Sequence, residues 1–221
     1  MAWRRATWRY SGFAALGLFA ALAAYELFAL HRAGQATPQV LAAAAQGELT
    51  LEDLPPRRVD MLLRVEDPGF YRHRGVDFST PGAGMTSITQ SLVKRFYFDN
   101  FEPGFAKLEQ SLIARFVLHP AMSKRAQLEA YLNHSHFGAV KGRRVVGLAD
   151  AARSFYGREI DDLSDRQFLS LVAMMMAPKT YDPLRQPRAN ADRVRRIEAM
   201  LAGRCAAQGL RDVALKACGA A

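Results

Sequence analysis

Only two cysteines occur in the 221 residues, Cys205 and Cys218, both near the C-terminus. They form no CxxC, and no histidines stand nearby, which argues against a zinc site. A disulfide between them is open if this part of the chain lies outside the cytoplasm. Alternating strand patterns are scarce, and no internal repeat or low-complexity tract appears beyond a few alanines, which sets repeat architectures aside. Acidic residues are outnumbered 21 to 30 by Lys and Arg, giving a net charge of +9 spread along the chain. That balance suits a polyanion or an anionic membrane without choosing between them. The arginines come with no aromatic platform or helix-turn-helix pattern, so nucleic acid is not an expected partner. Half of the residues are hydrophobic, so disorder is not expected. The length fits one ordinary domain plus a short anchor.

Ser11 to Leu30 reads SGFAALGLFAALAAYELFAL, apolar apart from Ser11 and Glu26. About twenty helical residues span a hydrocarbon core of about 30 Å. Arg4, Arg5 and Arg9 precede the run and Arg32 follows it. The positive-inside rule then keeps residues 1–10 in the cytoplasm, makes 11–30 a transmembrane helix and sends the rest outside. The rival readings are a cleaved signal peptide, with Leu22 to Ala24 resembling a processing site, and a buried core helix. Residues 31–53 read as a juxtamembrane connector, with a short helix near Leu41 to Ala45 that stops before Pro55 and Pro56.

Helical periodicity dominates from residue 54 to 201 and predicts a mostly α domain. Ile88, Leu92 and Phe96 share a face, as do Leu108, Leu112 and Phe116, and Phe168, Leu171, Val172, Met175 and Met176. Val194, Ile197 and Leu201 continue the pattern. Ser164 with Gln167 forms a capping box, Ser123 reads as another N-cap, and Pro178 and Pro183 bracket a loop. The run Met174 to Met176 reads as core filling. Residues 202–221 form a C-terminal tail.

Two segments hint at chemistry. Glu66 to Asp77 reads EDPGFYRHRGVD, and acids beside a histidine suit acid–base work or a solvated turn. Gly84 to Lys94 reads GMTSITQSLVK, where hydroxyls and amides at a helix start suit a phosphate seat or a plain N-cap.

In order, these residues resemble the peptidoglycan glycosyltransferase family of monofunctional murein polymerases and class A penicillin-binding proteins. Glu66, Asp67, Phe70, His73 and Gly75 match E-D-x-x-F-x-x-H-x-G, and Gly84 to Arg95 approximates G-G-S-T-I-T-Q-Q-L-x-K-N. Ser123 to Asn133 is similar to S-K-x-x-I-L-E-x-Y-L-N, with Phe137 and Gly138 following, and Gly147 to Gly157 to G-I-x-x-A-A-x-x-Y-F-G. Pro178 to Pro183 matches the loop before the last helix, whose Arg193, Arg195 and Arg196 resemble the closing arginine motif.

The resemblance implies a lysozyme-like α fold at the periplasmic face of a bacterial inner membrane. It implies an enzyme that joins lipid II units to a nascent glycan strand with inversion, releasing undecaprenyl pyrophosphate. Glu66 takes the place of the base for the acceptor hydroxyl. Asp67, Thr86, Gln90, Lys94, Lys107 and Arg193 are expected on the substrate side. His73 is expected there too, more as a structural partner than a catalyst, while Glu129 and Tyr131 are expected to orient their helix. A divalent cation, Mg or Mn, is expected on the pyrophosphate rather than in a protein-held metal site. Other cell-wall synthesis proteins are the partners expected by analogy.

The third motif, R-K-x-x-E, is where the chain departs. Lys107 matches its lysine, but Ala106 replaces the arginine and Gln110 the glutamate that serves as second catalytic carboxylate; the alternative register gives Ser111. Glu109 stands one residue away, rotated by roughly 100°, and is the nearest substitute acid. Glu102 replaces a frequent arginine, Met85 a tight-turn glycine, and the link Phe78 to Ala83 is much shorter than in the family. Three readings follow: an active polymerase, an impaired relative that binds lipid II or glycan and scaffolds wall synthesis, and a lysozyme-like glycan-cleaving enzyme.

Overall fold

The computed structural model describes residues 15–219, together with the backbone from Ala2; the side chains of Arg4, Arg5, Arg9 and Ser11 lie outside the described residues. A single helix, α1, runs over Ala2–Ala44. It replaces the separate transmembrane helix and short connector helix read from the sequence. Pro38 lies inside it, and a proline removes one backbone bond without ending a helix whose neighbours hold it. The neighbours here are the helix α4 (Phe105–Ile113) and the π-helical turn Ala114–Leu118 that follows it. Ala33, Val40 and Ala44 bury their small side chains on that side, and the Thr37 hydroxyl meets Tyr97 Oη at 2.9 Å. Leu16, Leu18, Phe19, Leu27 and Phe28, farther up the same helix, are exposed. Residues 15–44 are long and apolar enough to cross a membrane.

The rest is built of helices around α8 (Asp165–Met176), whose Phe168, Leu171, Val172 and Met174 are fully buried. It packs on α2 (Pro56–Glu66), α7 (Leu148–Tyr156) and α9 (Pro187–Leu201). A second layer crosses α3 (Ile88–Phe96) over α6 (Lys124–His134), with the short α5 (His119–Ala121) ahead of α6. Local chemistry sets the boundaries. Pro56 occupies the first turn of α2, where its missing N–H costs nothing. Ser87, Ser123 and Ser164 accept from the amides three residues on, as N-cap residues do. Gly75 has φ +93°, and a Cβ there would sit 2.4 Å from the Ala114 carbonyl, so only glycine lets this loop lie on the π turn.

An antiparallel hairpin, β1 (His136–Val140) and β2 (Arg143–Val146), was not read from the sequence. Its turn places both Lys141 (φ 50°) and Gly142 (φ 80°) in left-handed conformations, the requirement of a tight two-residue hairpin. Lys-Gly meets it less recognisably than Asn-Gly. The two cysteines are joined in a disulfide with a Cα–Cα distance of 5.5 Å.

Asn133 ties the chain leaving α1 to the helical layers. Its Oδ1 accepts from the Glu48 and Leu49 amides (3.0 and 2.9 Å), and its Nδ2 donates to the Leu49 carbonyl at 2.7 Å. Asn133→Ala removes all three ties and is expected to cost about 1–3 kcal/mol. Thermal or denaturant unfolding of the full chain checks this, with Glu129→Gln on the same helix as the comparison.

Candidate active site

Glu66 is the last residue of α2 and opens onto a cleft of about 710 Å³ between the α2–α8 and α3–α4 layers. Its Oε2 accepts a 2.7 Å hydrogen bond from Tyr131 Oη. Dense burial of the carboxylate pushes its pKa up to about 7, with Asp67 adding to the rise and Tyr131 and Arg193 opposing it. A carboxyl group poised there is half ionised near neutrality, the condition that suits a general base. Tyr131 therefore holds the acid itself, a closer role than orienting its helix.

Arg193 reaches the cleft from α9 and is 1 % exposed, with Nε and Nη1 lacking a hydrogen-bond partner among the described residues. Burial lowers its pKa while the charge of Glu66 opposes the fall. Lys107, on α4, donates to Thr86 Oγ1 at 2.7 Å, and Lys94 Nζ lies 5.0 Å from the Phe101 ring centre. Burial, and then the charge of Lys94, lower the Lys107 pKa. Thr86, Lys94, Lys107 and Arg193 thus line one cleft with Glu66. Such a set can attract an anion and take a proton from a hydroxyl group.

Other expected residues stand elsewhere. Asp67 is 1 % exposed and does not line the cleft. One carboxylate oxygen accepts from the Ile88 amide (2.9 Å), and both lie 3.0 Å from His73 Nε2. Asp67 and His73, both expected on the substrate side, are bonded to each other and brace the loop after α2. Gln90 is likewise internal: Oε1 caps the Ser87 amide and Nε2 donates to Ser111 Oγ. The phosphate seat read at the start of α3 is also closed. The Ile88 amide is taken by Asp67 and that of Gln90 by Ser87, so the anion at this helix start is Asp67 from the end of α2. Glu109 does not line the cleft either; it faces α1, close enough to Glu26 for their charges to interact.

Gln110 does face the cleft, with a carboxamide where the resemblance requires a carboxylate. Its Nε2 donates to the Gln90 carbonyl at 2.6 Å, while Oε1 is buried without a partner. Asp99, exposed at the rim, is the other carboxylate lining the cleft among the described residues. Met175 and Met176 also line it, half-buried against the core that Met174 fills. Sequence periodicity had no means of marking Asp99 or Tyr131, which reach the cleft by tertiary packing. Among the described residues no three His, Cys, Asp or Glu side chains group to hold a metal. The cationic lining does not fit a protein-held divalent ion.

A family model for transglycosylase matches residues 34–202, and the chain belongs to that family. Its mostly α, lysozyme-like fold is the one the motifs implied. The chain is 28% identical to penicillin-binding protein 1F of Bacillus subtilis (strain 168) over 166 residues, 69% of this chain and 22% of that protein. It is 27% identical to penicillin-binding protein 1A of Neisseria flavescens, over 75% of this chain and 22% of the relative. With penicillin-binding protein 1A of Escherichia coli (strain K12) the identity is 28%, over 62% and 17%. The chain thus spans about a fifth of the length of these relatives.

Two outcomes follow from the geometry. Glu66 is raised from 4.5 to about 7, so its ionisation weakens the fold progressively across that interval. Glu66→Gln keeps an acceptor for Tyr131 and is expected to raise Tm above pH 7 but not below pH 4.5, checked by melting across pH. Gln110→Glu leaves the Gln90 carbonyl without its donor and is expected to lose about 1–3 kcal/mol of stability at pH 8, checked by denaturant unfolding.

Proposed function

We propose that this chain is a peptidoglycan glycosyltransferase that polymerises lipid II into glycan strands, with one well-placed base. The carrying observation is Glu66, bonded to Tyr131 and poised near pH 7, in the cleft that holds Lys94, Lys107 and Arg193. In this reading Glu66 takes the proton of the acceptor hydroxyl as its oxygen attacks the donor sugar C1. The bond from C1 to the pyrophosphate oxygen breaks with inversion, and its electron pair leaves on the phosphate. The lysines and Arg193 stabilise that charge. A divalent cation, if used, is carried on the phosphate oxygens of the substrate. We place the cleft at the periplasmic face of the inner membrane, with α1 as a single span and the N-terminus cytoplasmic. Other wall-synthesis proteins are its proposed partners.

One observation favours a second reading, a relative that binds lipid II without turning it over: the carboxamide of Gln110 faces the cleft. A missing acid–base group costs on the order of 10²–10⁴ in rate. The first reading therefore describes a slow enzyme and the second a silent one.

Labelled lipid II supplied to the full-length protein in detergent with Mg²⁺ separates them. The expected result is glycan strands whose rate of formation rises with pH through about 7, as Glu66 ionises. Glu66→Gln should lower that rate by about 10²-fold or more. No strands from the wild type, beside an active family member, would leave the binding reading. Lys94→Ala with Lys107→Ala should then abolish lipid II binding.

A further inference from the structure

Residues beyond 202 lie outside the stretch that matches the family, yet they reach the cleft. The disulfide closes a loop from Cys205 to Cys218, and this loop lies along Gly82 to Met85, where the short link runs into the turn ahead of α3. The Gly82 amide donates to the Gly209 carbonyl (3.0 Å) and the Gly84 amide to that of Leu210 (2.8 Å). A side chain at either glycine would crowd the loop. A Cβ on Gly84 would meet Val213 Cγ1 at 2.6 Å, and one on Gly82 would meet Ala207 Cβ at 3.0 Å. Both glycines have positive φ, so the link is shaped to receive the loop.

The loop is itself firmly built. Asp212 accepts from the amides of Gln208 (3.1 Å), Lys216 (2.7 Å) and Ala217 (3.4 Å). Leu215 and Cys218 are buried in the core. Asp212 is also close enough to Arg193 for their charges to interact. Val213 completes the cleft lining beside Gly84, two residues from Thr86 and its bonded Lys107.

We propose that the disulfide-closed loop 205–218 is a wall of the cleft, with Val213 setting the space available to substrate beside Thr86. It supplies the support that the short link cannot supply for itself. The arrangement makes the Thr86 end of the cleft depend on a covalent bond. Opening the disulfide should free the link while α8 stays intact, because α8 is held by its packing on α2, α7 and α9.

Hydrogen exchange on the full-length protein in detergent, oxidised and reduced, tests the wall directly. Reduction should speed exchange of the amides from Gly82 to Thr86 by about tenfold or more and leave α8 unchanged. The Cys205→Ser/Cys218→Ser variant should behave as the reduced protein does. Unchanged exchange at Gly82 to Thr86 would overturn the proposal. So would faster exchange spread through α8, since the bond would then serve global stability alone. A second arm, resting on the lipid II reading, measures binding of labelled lipid II to the wild type and to Val213→Ala with its disulfide intact. The variant should bind about tenfold more weakly through lost contact and confinement, and equal affinity would overturn the role of Val213. A wild type that binds no lipid II would sink the functional reading, while exchange would still decide the wall.

Discussion

The carboxylate of Asp67 is the tie on which the cleft depends. It sits at the junction of α2 and the following loop, accepts from the first amide of α3, and grips the ring of His73. Glu66 is its neighbour in sequence, so the same bonds that cap α3 fix the end of α2 from which Glu66 projects. Lys124, with its ammonium 4.2 Å from the Phe70 ring centre, is the cation that faces this buried charge. A carboxylate at a helix N-terminus is favourable because it meets unpaired amides and the positive end of the dipole. That stabilisation has a consequence for function. The helix start is spent on the fold, and an anionic ligand must be met by side chains instead. Lys94, one turn on from Gln90, and Lys107 across the cleft are the side chains placed to do so.

Gln110 shows the same division between scaffold and site. Its amide nitrogen donates to the carbonyl of Gln90, and Gln90 in turn donates to Ser111 on the same helix as Gln110. The α3–α4 crossing is therefore closed by two amide side chains, each serving the other's helix. A carboxylate at 110 would meet a carbonyl oxygen in a buried place. The crossing is thus bonded internally through the position where the resemblance places an acid, and Glu66 and Asp99 are the carboxylates that line the cleft among the described residues.

Legibility from sequence followed the range of the interactions. Ser123, Ser164 with Gln167, and Ser87 with Gln90 are local caps, readable because each partner lies three residues away. The mostly helical fold was readable from apolar spacing, and motif order named Glu66, Lys94 and Lys107, which the fold brings to one cleft. What failed was long-range. Asp67 and Gln90 carry the residue types of a binding site, yet their partners are backbone amides and other helices. Tyr131 reaches Glu66 across 65 positions of chain. The continuity of α1 through Pro38 rests on the packing of Ala33, Val40 and Ala44 against another helix, which outweighs the local cost of a proline.

That continuity bears on how the cleft is held. The apolar half of α1 and the half packed on the domain are one helix, so no flexible hinge of irregular chain separates them. The packed half rests on α4 and the π turn, and α4 is the helix that presents Lys107 and Gln110 to the cleft. The Thr37–Tyr97 contact adds a second fixed point at the end of α3, the helix of Lys94. Both lysines therefore sit on helices tied to α1, whereas Glu66 and Arg193 come from the layer around α8. The cleft runs between a face fixed to the long apolar helix and a face fixed to the core. An anion held in the cleft would therefore meet Lys94 and Lys107 on the first face and Arg193 on the second.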